Sequence, residues 1–111
     1  MTPKLVAGIE PPCCTAVFTS VRPDAPEGYA ETADRMQAIV EEIPGHLGYE
    51  FARTPGGIGI TVACFRDLES LDAWRLHTAH QEAKTYGREH WYDSYSVHIG
   101  KVERSYGYER A

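Results

Sequence analysis

From Cys13 to Val21 the chain places apolar residues on both alternating sides, Val17 and Val21 on one and Ala16 and Phe18 on the other. A strand apolar on both faces is normally covered on both. Arg22-Pro23 ends it. Asp24-Ala-Pro-Glu27 has the form of a capping box, which predicts the start of a helix there. Tyr29, Ala33, Met36, Val40 and Ile43 follow at spacings of four, three, four and three, with Glu31, Asp34, Arg35, Glu41 and Glu42 outside the stripe. That pattern predicts an amphipathic helix, stopped by Pro44-Gly45. Tyr49 to Arg53 and Ile58 to Phe65 read as a hairpin turned through Thr54-Pro-Gly-Gly57. The second arm, Ile60 to Phe65, is again apolar on both faces.

Asp67 is placed to cap a second helical region running to about Tyr86, with Gly87 as its stop. This region contains two stripes. Leu68, Leu71 and Trp74 make one; Leu76, Ala79, Ala83 and Tyr86 make another. At about 100° per residue they point in nearly opposed directions on a straight helix, so a break near His77-Thr78 is predicted. Tyr95 to Ser105 form the last strand, with Tyr95, Val97 and Ile99 on one side. The order β-α-β-β-α-β is the ferredoxin-like split βαβ arrangement, an α+β fold with one antiparallel sheet. Residues 1–12, with three prolines, form an irregular arm ahead of a single domain over 13–111. The two helices cover one face of such a sheet. The other face remains apolar, and a second copy of the chain is the economical cover, because two-fold closed dimers are the commonest oligomers.

Composition narrows the setting. Sixteen acidic against eleven basic residues give a net charge of -5, which argues against a nucleic-acid surface built from clustered Lys and Arg. No apolar run approaches the roughly 20 residues of a membrane span, and the N-terminus lacks a secretion signal. Cys13 and Cys14 are adjacent, a geometry strained for a disulfide, and Cys64 sits in a buried-looking strand; free thiols in the cytoplasm are the expectation.

Candidate chemistry concentrates in Trp74-Arg-Leu-His77-Thr-Ala-His80 and His90-Trp91-Tyr92. Histidine serves as a base near neutral pH or as a metal ligand. His77 and His80, three apart, would share a helix face, but a two-histidine pair without a placed cysteine or carboxylate is a poor metal signature. His80 lies within an apolar stripe, so a hydrogen-bonded core histidine is the competing reading, and it extends to His90 and His98. His46 reads as solvated loop. Trp74 is either core packing or the wall of a flat pocket between helix and sheet. There is no GxSxG, P-loop or GxGxxG.

Pro44-Gly-His-Leu-Gly-Tyr49, Gly59-Ile-Thr-Val62, Trp74-x-x-His77-x-x-His80, Gly87-Arg-x-x-Trp91-Tyr92 and Val102-Glu-Arg-x-Tyr106 together resemble the antibiotic biosynthesis monooxygenase family of dimeric α+β barrel proteins. The resemblance covers nearly all of the chain beyond residue 12. It implies a homodimer and, for the cofactor-free members, oxidation of electron-rich phenolic rings, with a pocket that deprotonates the substrate so that its carbanion passes an electron to oxygen. In those members an asparagine four residues before the helix tryptophan assists; here the tryptophan is Trp74 and that position is Ser70. Haem-degrading members use a first-strand asparagine and a histidine ten residues after the tryptophan. This chain has no asparagine, and the tenth residue after Trp74 is Lys84, which disfavours haem degradation of that type. Three functions follow as expectations. The first is a cofactor-independent monooxygenase for a small aromatic or polyketide-like substrate, with Trp74, His77 and His80 as site residues and no cofactor or metal. The second is a haem or small-molecule carrier. The third is a structural or stress-associated dimer.

Overall fold

The computed structural model describes residues 5–111; the first four residues of the expected arm lie outside the described residues. Seven elements follow in order: β1 (Cys13–Val21), α1 (Tyr29–Glu41), β2 (His46–Arg53), β3 (Ile58–Phe65), α2 (Leu68–Arg75), α3 (Thr78–His90) and β4 (Ser94–Val102). The sheet order is β2-β3-β1-β4, every pairing antiparallel. This is the expected split βαβ topology. The chemistry of β1 and β3 explains their central places, since both carry apolar residues on both faces.

Register divides the sheet cleanly. Ala16 pairs Ala63 and Ile99, Phe18 pairs Thr61 and Val97, and Cys14 pairs Phe65, so these residues share one side. Cys14, Ala16 and Ala63 pack on a core of Val40 from α1, Phe65 from β3 and Leu71 from α2, which identifies this as the helix side. The opposite side presents Val17, Ile58, Ile60 and Val62 from β1 and β3, with Ile58 and Ile60 exposed. Along β4 the same side turns polar, with Ser94, Ser96 and His98. The arm crosses that side at β2: Val6 donates its N–H to the Glu50 carboxylate at 3.1 Å and its side chain lies against Gly48.

Four boundaries differ from the sequence reading. Helix α1 begins at Tyr29 behind Gly28, whose φ of 80° suits glycine. The Asp24 carboxylate, expected to cap this helix, instead accepts the N–H of Gly56 in the β2–β3 turn. Gly87 lies inside α3 rather than ending it: a Cβ there would sit 2.6 Å from the Tyr92 ring, so glycine is what allows the following aromatic pair to fold back. Strand β2 starts earlier, at His46, and β4 ends at Val102 instead of Ser105. His46, expected in solvent, is half-buried with its ring 5.4 Å from Phe65. His90 and His98, expected in the core, are exposed. All three cysteines are free.

Candidate functional site

The break between α2 and α3 falls where the two stripes required it. Helix α2 opens with the Asp67 carboxylate accepting the Ser70 N–H at 2.8 Å and ends at Arg75. His77 then takes an extended conformation (φ -59°, ψ 132°) as the residue before α3. Its Nδ1 accepts the Ala79 N–H at 3.2 Å. This is the arrangement by which a side-chain acceptor satisfies an otherwise orphaned N–H at a helix start. His77 and His80 therefore do not share one helix face, as their spacing suggested. His77 holds the start of α3, and His80 sits one turn inside it.

His80 stacks on Trp74. Their ring centroids are 4.0 Å apart and their planes differ by 9°. Trp74 itself packs against the Val40–Phe65–Leu71 core, so the stack forms a wall fixed from behind. His80 Nδ1 lies 3.1 Å from the Trp74 carbonyl oxygen. A carbonyl only accepts, so the proton of the neutral ring belongs on Nδ1 and the lone pair on Nε2. Burial, assisted by the charges of Lys84 and His77 and opposed by the Trp74 carbonyl, pushes the imidazole down to about 4 from 6.5. At pH 7 the ring is neutral, with its free lone pair at a defined nitrogen.

This has a measurable consequence. Below pH 6.5 an unfolded chain protonates the His80 ring while the folded protein does not, so the unfolded state binds the extra proton. Stability is expected to decline as pH falls from 6.5 towards 4, by at most on the order of 3 kcal/mol. His46, lowered by burial, acts in the same direction. Urea unfolding at stepped pH reads this directly; His80→Gln should flatten much of the slope, and an unchanged slope in that variant would show that the ring is not held neutral.

Ser70, four residues before Trp74, faces elsewhere. It is buried, and its side chain packs against Gly45 in the turn before β2. The position that carries an assisting amide in the resemblance is thus occupied here by a residue committed to packing. Among the described residues no group of three or more His, Cys, Asp or Glu gathers in a metal-binding arrangement. Two surface depressions are defined by other residues: one of about 270 Å³ between the arm (Ala7 to Glu10), Leu47 and Arg66, and one of about 370 Å³ on the outer side of α3, around Tyr86. Neither is lined by Trp74, His77 or His80.

The sequence reading missed a second aromatic group. Phe18 lies 5.3 Å from Tyr95 and 5.6 Å from Tyr92, and Tyr29 lies 6.2 Å from Tyr92. The Arg22 guanidinium carbon sits 3.7 Å over the Tyr29 ring, and Trp91 Nε1 donates to the Glu27 carbonyl at 3.0 Å. Burial, with Tyr29 beside it, pushes the Tyr92 phenol upward, so it stays protonated. Phe18 and Tyr95 were legible as strand residues, though only the register puts them on one side, and Tyr92 and Arg22 sit in connections where no periodicity marks them.

Comparison with known proteins agrees with this architecture. A model of the family described as antibiotic biosynthesis monooxygenase matches residues 13–86. The uncharacterized protein YqjZ of Bacillus subtilis (strain 168) is 44% identical over 95 residues, covering 86% of this chain and 83% of that protein. Among solved structures, SnoaB, a cofactor-independent oxygenase from Streptomyces nogalater, superposes with a TM-score of 0.70 at 14% identity, over 85% of this chain and 96% of that one. Protein SO0527 from Shewanella oneidensis gives a TM-score of 0.71 at 14% identity, over 84% and 93%. At these identities the two structures speak for the fold.

Proposed function

Because the chain belongs to the antibiotic biosynthesis monooxygenase family, we propose that it is a cofactor-independent monooxygenase that oxidises a small, electron-rich aromatic or polyketide-like substrate on the helix side of its sheet. The observation that carries this reading is the Trp74–His80 stack. The imidazole lies flat on an indole that is itself backed by the core, so the stack as a whole offers a rigid wall for a planar ring. The imidazole, neutral at pH 7, keeps Nε2 free to take a phenolic or ring C–H proton; burial makes it a weaker base than a solvated histidine, so its contribution is the placement of that lone pair. Deprotonation leaves an electron-rich carbanion; dioxygen, the oxidant, adds at that carbon to give a peroxide, and cleavage of its O–O bond with loss of water, the proton returning from His80, leaves the quinone carbonyl. His77, engaged in holding α3, has a positioning role. The SnoaB likeness in fold is consistent with this chemistry.

The working unit in this proposal is a homodimer. Val17, Ile58, Ile60 and Val62 leave an apolar area on the side of the sheet away from the helices. Burying it against a second copy stabilises both, at about 25 cal/mol per Å² removed from water. No helix among the described residues is long and apolar enough to cross a membrane, and we place the protein in the cytoplasm.

The test is oxygen consumption by metal-stripped dimer with phenolic and anthrone-type substrates. Stoichiometric uptake of dioxygen with formation of the quinone supports the proposal. Absence of uptake across such a panel, together with a hemin-induced Soret band that shifts in His80→Ala, would replace it with the haem-carrier reading. Sedimentation of wild type against Ile60→Lys tests the assembly: wild type should run as a dimer and the variant as a monomer.

A further inference from the structure

We propose that Arg22 and Arg53 form a binding site for the carboxylate of an aromatic ligand, just beyond the end of β1. Arg22 is the residue after β1 and is only 6% exposed. Arg53 ends β2, and its side chain is only 11% exposed. The two are brought together by backbone as well as burial: Arg53 Nη2 donates to the Arg22 carbonyl at 2.6 Å, while Arg22 Nη1 donates to the carbonyls of Pro23 and Asp24 at 2.9 Å each. Three of their nitrogens, Arg22 Nε, Arg53 Nε and Arg53 Nη1, are buried with no hydrogen-bond partner.

A guanidinium cannot relieve this by losing its proton. Buried charges are normally paired and their donors filled, and leaving them unmade is costly. Only one carboxylate among the described residues reaches the pair. Asp24 Oδ1 lies 3.5 Å from Arg53 Nη2, its side chain 58% exposed, and the same oxygen also accepts the Gly56 N–H. Two buried cations thus face one loosely held anion. The deficit is one negative group, and a carboxylate's two oxygens match the fork of a guanidinium.

The surroundings specify what the carboxylate is attached to. Tyr29 lies beneath the Arg22 guanidinium, and Tyr92, Tyr95 and Phe18 continue from it as a set of edge-to-face and tilted rings. Rings prefer such partners at centroid separations of about 4.5–7 Å. An aromatic acid therefore satisfies both halves of the site. Its carboxylate enters beside Asp24, the one exposed member, and supplies the missing negative charge to Arg53. The site does not depend on the chemistry proposed at Trp74 and His80.

The experiment is calorimetric titration of the full chain with benzoate, its neutral isostere benzamide, and sulfate. Benzoate should bind at least about tenfold more tightly than benzamide, the discrimination expected of charge-assisted pairing. Asp24→Asn, which removes the competing charge while keeping an acceptor for Gly56, should tighten benzoate several-fold. Arg53→Gln should weaken it by about tenfold or more. Equal binding of benzoate and benzamide, unchanged affinity in Asp24→Asn, or sulfate binding as tightly as benzoate would each overturn the proposal. If Arg53→Gln does not fold, Asp24→Asn decides, because a structural role for Asp24 predicts no gain in affinity. Binding is read without turnover, so failure of the oxygenase reading and failure of this one are separate results.

Discussion

His80→Ala is expected to lower turnover of a phenolic substrate by about 10²–10⁴-fold, the range associated with loss of a positioned general base. The effect should fall on kcat more than on KM, because Trp74 and the sheet still supply the binding surface. His77→Ser is the necessary companion. Serine is a good residue at a helix start, so this variant should keep α3 and most of the activity. The pH profile separates the two histidines further. With His80 held neutral down to about 4, the acid limb of turnover should lie near that value rather than near 6.5. Loss of activity in His77→Ser with retention in His80→Ala would reverse the assignment, and an acid limb at 6.5 would show that the base is a solvated group.

Phe65→Ala is expected to cost about 3–5 kcal/mol, as large-to-small changes of buried aromatic residues do. Phe65 is fully buried, at 0% exposure, and joins the three parts of the core: Val40 of α1, Leu71 of α2 and the half-buried strand residues beneath them. The His46 ring also rests on its edge. Small domains have only about 5–15 kcal/mol in total, so this single change should remove a large share of it and move the urea midpoint strongly downward at unchanged slope. A loss below about 1 kcal/mol would mean that the core closes around the vacancy, in conflict with the usual rigidity of close-packed interiors.

Local chemistry made much of the fold legible. Strands β1 and β3 announce their central positions because residues on both of their sides are apolar. The break between α2 and α3 was readable without Pro or Gly, since the two stripes point apart on a straight rod, but the stripes overstated the core: Leu68, Leu76 and Tyr86 are exposed. What escaped was decided by partners distant in sequence. Asp24 had a helix N-terminus within reach, yet its oxygen found Gly56 across the fold. Gly87 resembled a stop signal but serves the return of Tyr92. The site was legible as a segment and not as a geometry: His77 and His80 looked equivalent by spacing, and only the turn between the helices gives them different partners. Arg22 and Arg53, 31 residues apart, carry no shared pattern at all.

The interruption at Leu76-His77 has one more effect. In an unbroken α-helix the carbonyl of residue 74 would be claimed by the amide of residue 78, following the i to i+4 rule. Here Thr78 opens a new helix instead; the Trp74 oxygen accepts the His77 N–H at 3.1 Å in a tighter turn and keeps a second lone pair for the His80 imidazole. Mending the rod would trade that oxygen's partner His77 for Thr78 and carry residue 80 round to a regular helical position, and the ring would no longer know which of its nitrogens to leave bare.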